Sequence, residues 1–388
     1  MFPSRAVIAP TTYGLAFIAC VVLVGLFDPT VLGNDYAQMH SVASNLVRGE
    51  GLKTDLIYYD VHYALDTPLV PQTVFPPGYS LIVAALLALG VDAYAAVFSI
   101  SLLAFAATGI LLVMCGRYVG ANNWSLALVA GTWFFLGVNW ANVLAVGSEV
   151  PYTFATVVAL YCLCEWDRSE VKPWFPLVLA GTAAACAFLF RYQGLFFVAA
   201  IFVFFLARRL GQRDRKSFLE LILVSAIPGL VVIGFMIWNA YLTGGIGGGP
   251  VDQADHSAGA YRVALGFYYE FSRILGVSRD ALFEGGLAEL SAFLLVAYLV
   301  YVSVRYRVLS RMIRANTRSS IPGFCMTYLL LSMLALIYLA LTKSADYIQA
   351  RYLSALLPFL ILWCLAVCSN LARNGKMPEN VARLGLSL

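Results

Sequence analysis

Apolar residues run through this chain in long blocks separated by short polar stretches. A membrane-spanning helix needs about 20 apolar residues, with a range of roughly 17–25. Blocks near 11–27, 93–114, 121–139, 150–164, 174–190, 194–207, 219–241, 290–304, 322–342 and 353–371 meet or approach that length and predict about ten spans. The block "GYSLIVAALLALG" (78–90) is too short and is followed too closely by another, so it predicts a re-entrant or interfacial helix. Before it, in "GNDYAQMHSVASNLVRGEG", Tyr36, Met39, Ala43 and Leu46 step by three and four. That is one face of a helix lying along the membrane surface, apolar side down.

Composition agrees with this pattern. The chain has 388 residues, 61% hydrophobic and 12% charged, where soluble chains carry about 25% charged residues. The expected class is therefore an all-α polytopic membrane protein. The net charge of +4 says little, but the position of the charges says more. With ten spans both termini share one side, and that side holds Arg5, Arg117, Arg168, Lys172, the run 208–216, five arginines between 305 and 318, Arg373, Lys376 and Arg383. These are 17 of the 25 basic residues, and the opposite side carries 15 of the 21 acidic residues and all three histidines. Basic loops stay cytoplasmic, so both termini are expected inside. An eleventh span at 78–90 would scramble the segregation. The organisation expected is one transmembrane domain over 1–371, with outward loops at 28–92 and 242–289, and a cytoplasmic tail at 372–388. The basic start and first apolar block lack a small-x-small cleavage site and read as an uncleaved helix. The eight cysteines sit in or beside apolar blocks and read as buried small hydrophobes.

None of the ten blocks has an ionisable residue at its middle, which argues against an ion-coupled carrier. The polar chemistry collects at the outward mouth instead: Asp35, His40, Arg48, Asp55, Asp60, His62, Asp66, Glu149, Arg191, Lys343, Asp346 and Arg351. Several have local structural readings. Asp35 with Gln38 fits a capping box. Glu149 opens the fourth span in "AVGSEVPYTF", where the helix dipole favours a carboxylate. Arg191 in "FLFRYQGLFF" stands where a long basic side chain can snorkel to lipid headgroups. Arg351 in "ADYIQARYLSALLPFL" offers the planar fork that suits phosphate. The run "GGIGGG" (244–249) does not join a strand to a helix, so it is read as a flexible loop entry rather than a nucleotide loop.

Taken in order, these pieces resemble the GT-C superfamily of membrane glycosyltransferases, in the branch of protein O-mannosyltransferases and the lipid A aminoarabinose transferase. The resemblance covers about residues 10 to 370. It rests on the acid-led helix after the first span, the proline entry "FPPGYSLIVAALLALG", "SEVPYTF", "FRYQGL", "WNAYLTGG" and "RYLSALLP". It implies sugar transfer from a polyprenyl-phosphate donor to a hydroxyl on a lipid, glycan or protein acceptor, at the outer face of a bacterial plasma (inner) membrane. It implies Asp35 as catalytic base and Glu149 as the second acidic position. Arg351 and Arg191, with Lys343 third, would hold the donor phosphate, and Tyr36, His62 and Tyr347 are further candidates for substrate contact. Many relatives carry a carboxylate pair where this chain has Asn34-Asp35, so the partner of Asp35 is expected from elsewhere, namely Glu149. No cofactor is required. A divalent metal stays open, since Asp35, Glu149 and His62 could converge, but no ligand spacing demands one. No nucleic-acid partner is expected. The competing readings are a flippase or transporter for a lipid-linked sugar and a non-catalytic subunit of an envelope polysaccharide complex.

Overall fold

The computed structural model describes residues 8–28, 34–56, 69–243, 266, 267, 269, 270, 274, 320–342 and 349–373. The apolar blocks within these residues are helical. In chain order they are α1 (Ile8–Leu26), α2 (Asn34–Val47), α3 (Gly78–Ala88), α4 (Ala93–Tyr118), α5 (Asn123–Phe135), α6 (Gly137–Leu144), α7 (Glu149–Arg168), α8 (Trp174–Phe190), α9 (Gly194–Gln212), α10 (Arg215–Thr243), α11 (Ser320–Thr342), α12 (Ala350–Ser354) and α13 (Leu357–Arg373). A two-residue antiparallel ribbon pairs β1 (Lys53–Thr54) with β2 (Val70–Pro71). The block at 290–304 and most of the loop at 242–289 lie outside the described residues.

By length and composition α4, α9, α10 and α11 can each cross a membrane, and the α5–α6 pair adds a fifth crossing if it is one span. That pair departs from the single helix expected over 121–139. The chain breaks at Leu136, which is extended, and the two halves meet at 43°. Carbonyls freed by a break need new donors. Here Asn139 Nδ2 donates to the Trp133 carbonyl at 2.9 Å, and the Trp140 indole donates to the Phe134 carbonyl. The last block is also broken, into α12 and α13. Pro358 stands in the first turn of α13, where its missing N–H is not needed.

The helices close into a ring. The helix α4 packs on α7, α7 on α8, α8 on α9 and α10, α9 on α11, α11 on α13, and α13 back on α4, while α1 lies against α4 and α5. The helix α7 also touches α9 and α11 and is buried on most of its surface. Its polar groups are satisfied inside: Tyr152 and Tyr328 share a hydrogen bond between hydroxyls at 2.7 Å, and Thr153 donates to the Glu149 carbonyl at 2.9 Å. Seven of the cysteines are free thiols and most of these are buried, as small hydrophobes would be.

The surface helix α2 is held on two sides. Its apolar face, Tyr36, Met39 and Ala43, is buried and packs on α3. Its row of Gln38, Ser41 and Asn45 is buried as well, and stitches α2 to the ribbon. Gln38 donates to Gln72 at 2.8 Å, Ser41 pairs with Thr54 at 3.1 Å, and Asn45 donates to the Lys53 carbonyl at 3.0 Å. Gln38 is thus engaged with Gln72 rather than closing a capping box, and α2 begins one residue before Asp35, which puts Asp35 within the first turn.

The helix α3 joins the outer pieces to the bundle. Ser80 donates to the Met39 carbonyl of α2 at 3.0 Å, and Tyr79 donates to the Val146 carbonyl at 2.5 Å. Gly78 allows the approach to α8, because a Cβ there would lie 2.7 Å from the Leu189 carbonyl oxygen. Gly78→Ala is expected to destabilise the protein by about 1–3 kcal/mol, the usual cost of overpacking against backbone. A thermal unfolding midpoint equal to wild type in detergent would refute the contact.

Candidate active site

The loop between α6 and α7 builds one wall of the site. Val146 takes a left-handed conformation with φ of 47°, and the bond from Tyr79 holds its carbonyl. Gly147 follows for a steric reason, since a Cβ there would stand 2.2 Å from Glu149 Oε2. The carboxylate of Glu149 therefore folds back over its own helix entry. Ser148, the residue before the helix, makes no side-chain cap. Its Oγ instead accepts from Arg191 Nη1 at 3.2 Å.

Arg191 comes from the turn between α8 and α9. It does not snorkel, being only 7% exposed, and its Nη1 lies 2.7 Å from Glu149 Oε1. Arg351, on the short helix α12, approaches the same Glu149 oxygen at 3.5 Å and donates from Nη1 to Asp35 Oδ2 at 2.7 Å. The result is an alternating row: Asp35, Arg351, Glu149, Arg191. Four residues from four separate parts of the chain meet there. Burial is uneven along the row. The side chains of Arg191 and Glu149 are 8% and 9% exposed and that of Asp35 14%, while Arg351 retains 33%. Arg351 is the member open to solvent.

Arg351 links Asp35 to Glu149, its Nη1 lying 2.7 Å from Asp35 Oδ2 and 3.5 Å from Glu149 Oε1. Two adjacent carboxylates repel; a guanidinium placed between them attracts both and favours their charged forms. Burial opposes the charge on Arg351, but the facing Tyr352 oxygen, Glu149 and Asp35 outweigh it and raise its pKa above the ordinary arginine value. Burial likewise opposes the Arg191 charge, and Glu149 outweighs it.

Several residues that the sequence did not single out complete the surroundings. Tyr352 places its ring 5.3 Å from Arg191 Cζ and 5.1 Å from Arg351 Cζ. Gln349 accepts from Arg351 Nε at 2.6 Å, and Glu270 Oε2 accepts from the Ala350 backbone N–H at 2.7 Å. Gln193 donates to the Tyr352 carbonyl at 3.1 Å, and Asn142 donates to Ser354 Oγ at 2.9 Å. These bonds fasten α12 to the α8–α9 turn and to α6. A cavity of about 10 Å³ lies beside Glu149, lined by Asn139, Asn142, Thr153 and Ser354 together with Phe105 and Trp133. It has room for a single water-sized group.

Of the other sequence candidates, Tyr36 is buried and stacks on His40 and Tyr94, with centroids 5.6 and 6.4 Å away. Burial first, then Tyr94 and Asp92, push its hydroxyl up to about 12, so it remains a proton donor at neutral pH. His62, Lys343 and Tyr347 lie outside the described residues. Asp35 and Glu149 each have one oxygen 2.7 Å from a guanidinium. Among the described residues no three of His, Cys, Asp and Glu converge as metal ligands.

No family model matches the chain, and no curated protein matches it. Solved structures do. The oligosaccharyltransferase of Archaeoglobus fulgidus in its apo form superposes with a TM-score of 0.54 at 15% identity, covering 96% of this chain and 52% of that one. The same enzyme in complex with zinc and sulfate gives 0.51 at 16% identity, over 96% and 50%. ArnT from Cupriavidus metallidurans bound to undecaprenyl phosphate gives 0.51 at 10% identity, over 94% and 60%. At such identities the likeness is one of fold, and the fold is the polytopic GT-C type. This chain spans half to three fifths of the length of those proteins.

Proposed function

We propose that this protein is a membrane glycosyltransferase that moves a sugar from a polyprenyl-phosphate donor to a hydroxyl acceptor at the outer face of a bacterial plasma membrane, inverting the anomeric centre. The observation that carries the reading is the Asp35–Arg351–Glu149–Arg191 row. It sets a carboxylate beside two guanidiniums, on a fold shared with ArnT and the archaeal oligosaccharyltransferase. The undecaprenyl phosphate bound to ArnT supports a lipid phosphate as the donor's anchor. Segregation of basic residues supports the outward orientation.

The donor is a phosphodiester with one negative charge. Arg351, the open member, turns from Asp35 toward this phosphate while Arg191 stays on Glu149 and adds its field. Asp35 is thereby released as a base. It takes the proton of the acceptor hydroxyl as that oxygen bonds to the anomeric carbon. The bond from the anomeric carbon to the phosphate oxygen breaks, and its electron pair leaves with the polyprenyl phosphate. The leaving group gains charge as it departs, so pre-placed guanidiniums stabilise the transition state more than the bound donor. Glu149 keeps both guanidiniums in place. The acceptor is a lipid, a glycan or a protein. No step requires a metal.

The test is direct. Purified protein is mixed with polyprenyl phosphate carrying a radiolabelled sugar and with candidate acceptors. Transfer of label is expected, whereas movement of intact donor across liposomes without transfer would establish the flippase reading. Arg351→Ala is expected to weaken donor binding by roughly 30-fold, the loss of a charge-assisted contact of about 2 kcal/mol. An unchanged donor KM would remove Arg351 from the site.

A further inference from the structure

Two guanidiniums that converge on one carboxylate oxygen repel each other. Arg191 Nη1 and Arg351 Nη1 lie 2.7 and 3.5 Å from Glu149 Oε1, so their separation cannot exceed the sum of those distances. In the donor-free protein Asp35 offsets part of this repulsion. Under the mechanism above Arg351 exchanges Asp35 for the donor phosphate, and between release and capture the two guanidiniums face a single carboxylate. A neutral group that attracts both cations would hold them side by side through that exchange.

We infer that the Tyr352 ring is this element: a shared aromatic ring that holds Arg191 and Arg351 as a paired clamp for the donor phosphate. The inference rests on the reading of the site as a glycosyltransferase donor site. The geometry supports it from both sides. Each guanidinium carbon lies within 5.3 Å of the ring centroid, inside the range of about 6 Å at which the negative face of an aromatic ring attracts a cation. The Tyr352 hydroxyl also accepts from Arg351 Nη2 at 3.4 Å. The Tyr352 backbone is fixed independently of its ring, by its own N–H to the Gln349 carbonyl at 2.9 Å and by Gln193 on its carbonyl. A change of side chain therefore removes the ring without removing the anchorage of α12. Tyr352 is a positioning residue here, because its effect on donor reaches the phosphate through the two arginines.

The experiment compares wild type, Tyr352→Phe and Tyr352→Leu in the full chain. It measures donor KM and kcat for sugar transfer and, separately, binding of undecaprenyl phosphate as a probe. Tyr352→Leu is expected to raise donor KM and weaken probe binding about tenfold, with kcat changed much less. Tyr352→Phe keeps the ring and is expected to stay within about twofold of wild type. Equal thermal midpoints for the two variants show that both are folded. Wild-type KM and probe affinity in Tyr352→Leu would overturn the inference and leave the glycosyltransferase reading standing. Equal losses in Phe and Leu would overturn it too, by assigning the effect to the hydroxyl. If wild type binds the probe but transfers no sugar to any acceptor, the glycosyltransferase reading fails, and the binding comparison still decides the role of Tyr352.

Discussion

Asp35→Asn is expected to abolish sugar transfer while tightening the grip on the lipid phosphate. The two effects have one origin. Asparagine keeps the size of the side chain but cannot accept a proton from the acceptor hydroxyl, and removing a general base costs roughly 10²–10⁴ in rate. The same carboxylate holds Arg351 at 2.7 Å in the donor-free state. In the proposed mechanism a donor phosphate must displace it, so Asp35 would compete with the donor for the guanidinium. Hydrogen bonds between charged groups are worth about 1.5–3 kcal/mol. Much of that is recovered when the phosphate replaces the carboxylate, and a net tightening of several-fold is expected once the competitor is neutral. Single-turnover transfer and binding of undecaprenyl phosphate measure the two halves. Full transfer by the purified variant removes Asp35 as the base. Weaker lipid binding by a folded variant removes the competition.

The largest effect on stability is expected at Arg191. It and Glu149 form the most buried pair of the row, each less than a tenth exposed, at 2.7 Å. Arg191→Met leaves the Glu149 carboxylate buried with Arg351 alone, at 3.5 Å. Breaking a buried pair by removing one partner typically costs about 3–5 kcal/mol, because the remaining charge stays out of water. The residual contact with Arg351 places this case near the lower end. Adding Glu149→Gln to Arg191→Met removes the orphaned charge and is expected to recover part of the loss, which a double-mutant cycle on unfolding midpoints in detergent would record. Additive single effects would mean that the two residues do not act as a pair.

The helical framework was legible because a bilayer forces each segment to satisfy its backbone within itself, which makes long apolar blocks close to synonymous with helices. The block read at 174–190 is α8 to the residue. The break at Leu136 was not legible. The residues flanking it are apolar, and the donors that make a break tolerable, Asn139 and Trp140, have no sequence signature. The site was legible residue by residue but not as a row. Asp35 and Glu149 each fit a helix start and Arg191 fits a headgroup contact, so local chemistry accounted for each alone. What joins them is a set of contacts between distant parts of the chain. Tyr352 is the clearest omission. It follows Arg351 directly, as Tyr192 follows Arg191, yet the second tyrosine points elsewhere and donates to the Thr73 carbonyl at 2.6 Å. The same dipeptide thus serves two purposes, and only the packing of α12 distinguishes them.

The ion pair between Asp35 and Arg351 joins residues 316 positions apart. During synthesis the first of these leaves the ribosome long before the second, and domains build from their N-terminal parts onward. Through most of translation Asp35 has no Arg351 to bind, and Glu149 has only Arg191. The ring of helices also closes late, when α13 reaches α4. Completion of the charge row therefore waits for the synthesis of α12. A chain stopped before residue 350 carries Asp35 without this cation, so the alternating row of charges exists only once α12 has been made.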